Sequence, residues 1–161
     1  MKTSPGLRLY LIRHAHAEDG FDDARRPLSA RGRKQIRALA RFLRSSGDFA
    51  PAEIWHSPLL RASDTAALLA GRLKVPAKLC SVAGLTPGDD PAIMTTKLQT
   101  RRKTLALVGH EPHLSALASL LVAGSAEPPI IVMRKCAVLA LERAADQWGV
   151  RWLVSPDLLG Y

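Results

Sequence analysis

Blocks of apolar and polar residues alternate along the chain and predict strands and helices in turn. Residues 7–12 form an apolar run that predicts a buried central strand. Apolar residues then recur at helical spacing over 36–43. Ser29 is a suitable N-cap for this segment and Gly47 a suitable stop, so we expect a helix between them, to about residue 44.

The later segments continue this alternation. The pattern predicts a strand at 53–56, a helix opened by Ser57 with Pro58 at its first position, a strand at 78–83, a weak helix at 92–99, a strand at 104–108, a helix at 113–123, and strands at 137–141 and 148–154. Strands that alternate with helices predict an α/β fold, with a mostly parallel sheet and helices on both faces. The short polar link at 145–147 predicts an antiparallel C-terminal hairpin.

Length and composition predict one ordinary globular domain. The chain has 161 residues, which fits a single domain over 1–161. The two cysteines, Cys80 and Cys136, are too few for a disulfide framework, and we expect buried thiols. The apolar run after the polar segment 1–6 is too short for a signal sequence or a membrane span, so a cytoplasmic protein without a membrane partner is expected.

The formal net charge of +9 suits either a basic solvated surface or attraction to an anionic partner. Aromatic residues make up only 5% of the chain and no nucleic-acid motif is present, which disfavours nucleic acid as the partner. The predicted first helix carries four arginines on one face, and a solvated face is a better interpretation of them than a docking patch. They are Arg33, Arg37, Arg41 and Arg44.

Two histidines and two arginines fall at predicted strand ends. Arg13-His14 and His110 sit at the carboxyl ends of two strands, and Arg61 follows the end of a third. In open α/β sheets ligands bind beyond these ends, so the three segments should converge on one crevice. Guanidinium groups match phosphate oxygens, one histidine can attack phosphorus, and another can stabilise the equatorial oxygens. The sequence therefore predicts a phosphoryl-transfer site.

The segments around these residues resemble the motifs of the histidine phosphatase (phosphoglycerate mutase-like) superfamily, and the resemblance covers nearly the whole chain. Residues 11–15 resemble its Arg-His-Gly signature, 57–62 with Thr65-Ala66 its second motif, and 108–112 its third. Residues 26–29 with Gly32, and the total length, resemble the short SixA-like phosphohistidine phosphatase branch.

This resemblance implies a three-layer α/β/α sandwich and a two-step mechanism that needs no metal or cofactor. His14 would be the nucleophile, and Arg13, Arg61 and His110 would bind the phosphoryl group. It implies phosphohistidine in proteins as substrate. A small-molecule phosphomonoesterase of the same superfamily is the alternative.

Two departures from the family pattern affect this expectation. Ala15 stands where the family has a glycine, which asks for slightly more room beside the nucleophile. Larger members carry a carboxylate general acid after the third strand, whereas residues 84–87 contain none. The short branch commonly lacks this acid. Asp89 and Asp90 lie nearby, but neither is a favoured candidate.

Further residues near the motifs are possible accessory groups. His16 could assist protonation or contact the substrate, Glu18 could orient a neighbour, and Arg26 could line the crevice with Arg25. Each is about equally well interpreted as a loop residue without a role. Two further histidines are interpreted as structural: His113 as a rim or cap residue and His56 as part of the scaffold.

Other classes of protein use some of the same residues. The spacings His14-x-His16 and His110-x-x-His113 could form a four-histidine zinc site with Glu18 or Glu111 nearby. The adjacent arginines argue against it because guanidinium groups repel a dication. A non-enzymatic phosphate-binding module is a further possibility, but such a module would be expected to lack the nucleophile.

Overall fold

The computed structural model describes residues 6–161 as an alternation of strands and helices in the predicted order. The elements are β1 (Leu7–Arg13), α1 (Ala30–Ser46), β2 (Glu53–His56), α2 (Leu60–Leu73), β3 (Lys78–Ser81), α3 (Pro91–Gln99), β4 (Leu105–Gly109), α4 (His113–Ala123), β5 (Val138–Ala144) and β6 (Gln147–Val154). Single 3-10 turns lie at Asp23–Arg25 and Pro156–Leu158.

The six strands form one sheet in the order β3-β2-β4-β1-β5-β6. Strands β1 to β4 pair in parallel, whereas β5 runs antiparallel to both β1 and β6. The turn between β5 and β6 places Ala145 and Asp146 at φ of 50° and 61°, which suits a tight hairpin turn. The predicted mostly parallel α/β sheet with an antiparallel C-terminal hairpin is confirmed.

Each face of the sheet is covered by a pair of helices. Successive side chains of a strand point to opposite faces, so β1 divides its apolar residues between two cores. Tyr10 and Ile12 pack in one core with α1 and α2 residues, and Leu9 and Leu11 pack in the other with residues of α3 and α4. A strand buried on both faces needs a continuous apolar run, which is why residues 7–12 carry one.

Helix α1 begins and ends as the sequence predicts. The hydroxyl of Ser29 accepts a hydrogen bond from the amide of Gly32 at 3.0 Å, which satisfies one of the helix's free N–H groups. Gly47 ends the helix at φ 66°, a left-handed conformation that glycine adopts without strain. The side chains of Arg33, Arg37 and Arg41 are exposed, so the basic face is turned to solvent.

Two predictions about local structure are wrong. Pro58 is not the first residue of α2, because Ser57 and Pro58 form a turn and Leu59 is the N-cap. The hydroxyl of Ser57 accepts a hydrogen bond from the Leu59 amide at 3.2 Å, and this local contact delays the helix. Cys136 is buried as expected, but Cys80 is only half-buried because it lies on β3 at the edge of the sheet.

No helix within residues 6–161 combines the length and apolarity needed to cross a bilayer. The single domain over 1–161 and the cytoplasmic location stay predictions.

Candidate active site

His14 and His110 lie side by side because β1 and β4 are neighbouring parallel strands. The last residues of the two strands, Arg13 and Gly109, are paired, and the His14 amide donates to the Gly109 carbonyl at 2.9 Å. The next residue on each chain is therefore a histidine beyond the carboxyl end of its strand. The two ring centroids lie 5.0 Å apart.

The His14 ring is held with one nitrogen free. Its Nδ1 lies 2.7 Å from the carbonyl oxygen of Ala15, and a carbonyl can only accept, so Nδ1 carries the proton. The lone pair is then on Nε2. Burial, and after it the charge of Lys135, lower the pKa of His14 to about 2, so the ring is neutral over the working pH range. A neutral imidazole with a free Nε2 can act as a nucleophile.

Arg61 reaches the same place from the first turn of α2. The Thr65 hydroxyl, one turn later, donates to the Arg61 carbonyl at 2.7 Å and accepts from the Ala15 amide at 3.0 Å. This hydroxyl therefore joins the start of α2 to the residue after the nucleophile. Arg61 is 5% exposed, and its Nη1 donates to the backbone carbonyl of Asp23 at 2.8 Å. A buried guanidinium in this position is available to an anion.

Arg13 closes the site from the strand that carries the nucleophile. Its Nη1 donates to the carbonyl of Met133 at 2.8 Å. Burial lowers the pKa of Arg13 and the charge of Glu111 opposes this effect, but a guanidinium keeps its charge at any working pH. Arg13 thus adds a permanent positive charge close to Lys135.

His110 is fixed by Ser57, at the end of β2. The distance from His110 Nε2 to Ser57 Oγ is 2.8 Å, and Ser57 Oγ also accepts from the Leu59 amide. With the serine proton donated to Nε2, the proton of His110 lies on Nδ1. Burial, and then the charge of Arg61, lower the pKa of His110 to about 4. His110 is a neutral hydrogen-bond donor in this arrangement.

Several buried nitrogens of this cluster lack a hydrogen-bond partner within residues 6–161. They are Nε of Arg13, Arg26 and Arg61, and Nδ1 of His110. Buried donors in native proteins are nearly always satisfied, so a group of unsatisfied ones calls for an acceptor. A phosphoryl group, with several anionic oxygens, provides such acceptors.

The accessory residues proposed from the sequence differ in their contacts. Nδ1 of His16 is 2.7 Å from the Ser29 hydroxyl at the start of α1. A Cβ atom on Gly32 would lie 2.1 Å from the His16 carbonyl oxygen, so the close approach of these two segments requires a glycine. Arg26 is half-buried, and its Nε lies 3.5 Å from a carboxylate oxygen of Asp23. The side chain of Glu18 is exposed.

The two aspartates nearest to the missing general acid have other contacts. Asp89 accepts hydrogen bonds from the amide and hydroxyl of Thr86, at 2.8 and 2.7 Å, and these bonds lower the pKa of its carboxyl group. Asp90 caps α3 by accepting from the Ala92 amide at 2.9 Å. Both carboxylates therefore stabilise the local loop and helix start.

The prediction that His113 is a rim or cap residue is wrong. The N-cap of α4 is Pro112, and His113 is buried, with neither ring nitrogen hydrogen-bonded to a described residue. Burial lowers the pKa of His113, so the ring is neutral. Within residues 6–161, no three histidine, cysteine or acidic side chains are grouped as a metal ion would require. The four-histidine zinc alternative has no geometric support from this part of the chain.

Sequence reasoning missed two charged residues of the cluster. Asp23 lies in the 3-10 turn and contacts both Arg61 and Arg26, and Lys135 lies in the turn before β5, close enough to lower the pKa of His14 and of His110. Neither residue belongs to a strand or helix with a periodic pattern. No sequence signal singled them out.

Known structures share this fold over nearly the whole chain. The protein histidine phosphatase SixA complexed with tungstate has a TM-score of 0.86 at 24% identity, covering 96% of this chain and 100% of that one. The α-ribazole phosphatase from Shigella flexneri has a TM-score of 0.70 at 20% identity, covering 93% and 97%. The phosphoserine phosphatase from Entamoeba histolytica, in complex with 3-phosphoglyceric acid, has a TM-score of 0.68 at 18% identity, covering 92% and 97%. No curated protein sequence matches the chain.

Residues 9–81 match the model of the histidine phosphatase superfamily (branch 1). This segment contains β1 with Arg13 and His14, and the start of α2 with Arg61. His110 lies outside it, at the end of the strand paired with β1. The sequence match to this superfamily model is therefore confined to residues 9–81, and the likeness over the rest of the chain is one of fold.

Proposed function

We propose that this protein is a phosphatase that transfers a phosphoryl group to His14 and then to water, with phosphohistidine in proteins as its substrate. The observation that carries the proposal is the state of His14. Its Nδ1 proton is engaged by the Ala15 carbonyl, so a neutral Nε2 is available beside Arg61 and His110.

In the first step Nε2 of His14 attacks phosphorus and forms a P–N bond. The bond between phosphorus and the leaving group breaks, and its electron pair goes to the leaving group, which takes a proton from solvent. Arg13, Arg61 and His110 hold the phosphoryl oxygens and stabilise the charge that develops on them. Burial of His14 and Arg61 strengthens these electrostatic interactions because little water screens them.

In the second step a water molecule attacks the phosphoryl group on His14. The P–Nε2 bond breaks, its electron pair returns to the imidazole, and the water proton passes to solvent or to the released phosphate. His14 is then neutral again with the same tautomer, since the Ala15 carbonyl still holds the Nδ1 proton.

The nature of the leaving group favours phosphohistidine. Asp89 and Asp90 are engaged in local hydrogen bonds, so neither is free to act as a general acid. The leaving group of phosphohistidine is an imidazole with a pKa of ~6.5, so solvent can protonate it near neutral pH and it leaves as a neutral base. The leaving group of phosphoserine is a strongly basic alkoxide, which needs a positioned proton donor in order to leave. The resemblance to the protein histidine phosphatase SixA supports the same choice. A small phosphate ester is the alternative substrate.

A trapped phosphoenzyme tests this proposal. Brief incubation with labelled substrate followed by an alkaline quench should leave label on the protein through an acid-labile, alkali-stable linkage. His14→Ala should abolish the label, and His56→Ala, at a histidine outside the cluster, should retain it. An acid-stable linkage, or labelling that survives His14→Ala, would contradict the proposal.

A further inference from the structure

Lys135 lies among the groups of the active site, although it is far from the motifs in sequence. The residues around it are anchored to the site on both sides. The Met133 carbonyl accepts from Arg13, and the Cys136 amide donates to the His14 carbonyl at 3.2 Å. A tight turn, closed by the Ala137 amide on the Arg134 carbonyl at 3.0 Å, carries Lys135 between these anchors.

The side chain of Lys135 is half-buried, and its ammonium group has no hydrogen-bond or ion-pair partner within residues 6–161. The charges that act on it are all positive and come from three different segments: Arg13 on β1, Arg26 after the 3-10 turn, and Arg61 on α2. Holding a half-buried cation beside three others is costly unless an anion joins them.

The acidic residues of the site do not balance these cations. Asp23 is shared between Arg61 and Arg26, at 3.3 and 3.5 Å. Glu111 acts on Arg13, but its carboxylate is engaged by the amide and hydroxyl of Ser115 at the start of α4. Four cations therefore face two carboxylates, and an anionic ligand would complete the site.

We propose that Lys135 is a further cationic ligand of the phosphoryl group, in addition to Arg13 and Arg61. Burial and the three arginines lower the pKa of the free lysine to about 8, so the site loses one positive charge above that pH. A bound phosphoryl dianion, whose second pKa is ~6, is therefore held best between about pH 6 and about pH 8. The histidines that face Lys135, His14 and His110, are neutral in this range.

Binding of inorganic phosphate tests this role without requiring turnover, so the result stands apart from the proposed function. Lys135→Met removes the charge, Lys135→Arg keeps it at every working pH, and Lys103→Met is the control at an exposed lysine beyond the other end of β4. At about pH 7, Lys135→Met should bind phosphate roughly 10- to 100-fold more weakly than wild type, the usual cost of a lost charged hydrogen bond. The other two variants should bind nearly as well as wild type.

The pH dependence gives a second readout that a purely structural lysine would not change. Phosphate affinity of the wild type should fall above about pH 8, and this fall should be absent in Lys135→Arg. The thermal midpoint identifies a variant that fails to fold, in which case the Lys135→Arg profile decides alone. Phosphate affinity of folded Lys135→Met within about 2-fold of wild type, or an unchanged alkaline fall in Lys135→Arg, would overturn the proposal.

A separate observation concerns the rim of the site. Two segments present apolar side chains to solvent: Phe21 is 114% exposed, and Val132 is 77% exposed. Phe21 lies two residues before Asp23, whose carbonyl contacts Arg61, and Val132 directly precedes Met133, whose carbonyl contacts Arg13. Each of the two apolar residues is therefore close in sequence to a group that holds an arginine of the site. Exposed apolar groups next to a site mark a surface where a partner binds.

The loop that carries Phe21 is acidic in a basic protein. Four of the chain's 14 acidic residues fall within residues 18–23, and Glu18 and Asp19 form no ion pair with any described residue.

We infer that Phe21 and Val132 dock a folded protein whose phosphorylated histidine is surrounded by basic residues. This inference rests on the proposed function, because it assigns a surface to the proposed protein substrate. Apolar anchors bury against the partner, and the acidic loop attracts its basic residues, so a macromolecule gains binding energy that a small ester cannot.

Comparison of two substrates tests the docking rim. The double variant Phe21→Ser/Val132→Ser should lose roughly 10- to 100-fold in kcat/KM on a folded protein phosphorylated on histidine by phosphoramidate, and less than about 2-fold on free N-phosphohistidine. Val150→Ser, at an exposed position on β6, is the control. Equal losses on both substrates, or no loss on either, would overturn the docking role. Failure of the wild type to hydrolyse either phosphohistidine compound would instead contradict the proposed function.

Discussion

Arg61 and Asp23, 38 residues apart in the sequence, are joined by two contacts: Nη1 of Arg61 donates to the Asp23 carbonyl at 2.8 Å, and Nη2 lies 3.3 Å from its carboxylate. The carbonyl contact holds the guanidinium through the backbone, whereas the carboxylate also adds a negative charge to the proposed phosphoryl site. The side chain of Asp23 is 67% exposed, so solvent screens this charge.

Asp23→Asn keeps the backbone contact and removes the charge. Inorganic phosphate should then bind about 2- to 5-fold more tightly, the range expected for an exposed ion pair. The turnover number should fall modestly, since Arg61 is less firmly oriented. Asp22→Asn, at the neighbouring exposed aspartate, should change phosphate binding less. Weaker phosphate binding by Asp23→Asn would contradict this account.

Arg61→Ala should lower kcat/KM roughly 100- to 1000-fold, because the guanidinium interacts more strongly with the transition state than with the ground state. Arg61→Lys should restore only part of the rate, since an ammonium cannot make the two-pronged contact of a guanidinium. Steady-state kinetics on an aryl phosphate measure both effects, with circular dichroism as the check on folding. Near-normal turnover of a folded Arg61→Ala would exclude this role for Arg61.

The buried histidines should make the protein sensitive to acid. The pKa of His14 is lowered to about 2 and that of His110 to about 4, whereas both titrate near ~6.5 when the chain is unfolded. Below about pH 6.5 the unfolded chain binds protons at these two histidines, whereas the folded chain does not. Lowering the pH therefore favours the unfolded state, so the folded protein loses stability as the pH falls and keeps it in full above about pH 6.5. The thermal midpoint should therefore drop between about pH 7 and about pH 5.

His14→Gln should reduce this acid sensitivity because it removes one of the buried groups. His56→Gln, at a half-buried histidine outside the cluster, is the matched control. Scanning calorimetry at a series of pH values compares the slopes. A slope that stays as steep in His14→Gln as in wild type would show that other groups govern the acid response.

Activity should survive exhaustive chelation. Arg61 places a permanent positive charge beside His14 and His110, and this charge opposes the binding of a dication. Turnover of an aryl phosphate with and without chelator, together with metal analysis of the purified protein, gives the comparison. Loss of activity that zinc restores would favour the metallohydrolase alternative.

Phosphohistidine should be hydrolysed in preference to phosphoserine. General acid catalysis increases reaction rates roughly 100- to 10,000-fold. A site without a dedicated acid should therefore be slower by that factor only on substrates with a poor leaving group, such as the alkoxide of phosphoserine. Aryl phosphates should fall between the two. The measurement is kcat/KM on matched phosphohistidine and phosphoserine peptides, and equal values would favour the small-molecule phosphomonoesterase.

The sequence by itself predicted the sheet and the residues at its strand ends. The run 7–12 is apolar at every position but one because β1 is buried on both faces, and such a run ends sharply where the chain leaves the sheet. Parallel strands present their carboxyl ends at one edge, so His14 and His110 could be placed together from the order of elements. Local signals such as the Ser29 cap were equally reliable, since the hydrogen bond they describe spans three residues.

The loops around the site were decided by the tertiary structure. Asp23, Lys135 and the Met133 carbonyl reach the cluster through contacts between segments far apart in the sequence, and no periodic pattern encodes such contacts. The burial of His113 could not be predicted for a related reason, because the burial of a helix's first residue depends on which segments pack over it. Hydrophobic periodicity determines which residues lie at the ends of strands, but only the folded chain determines which distant charges surround them.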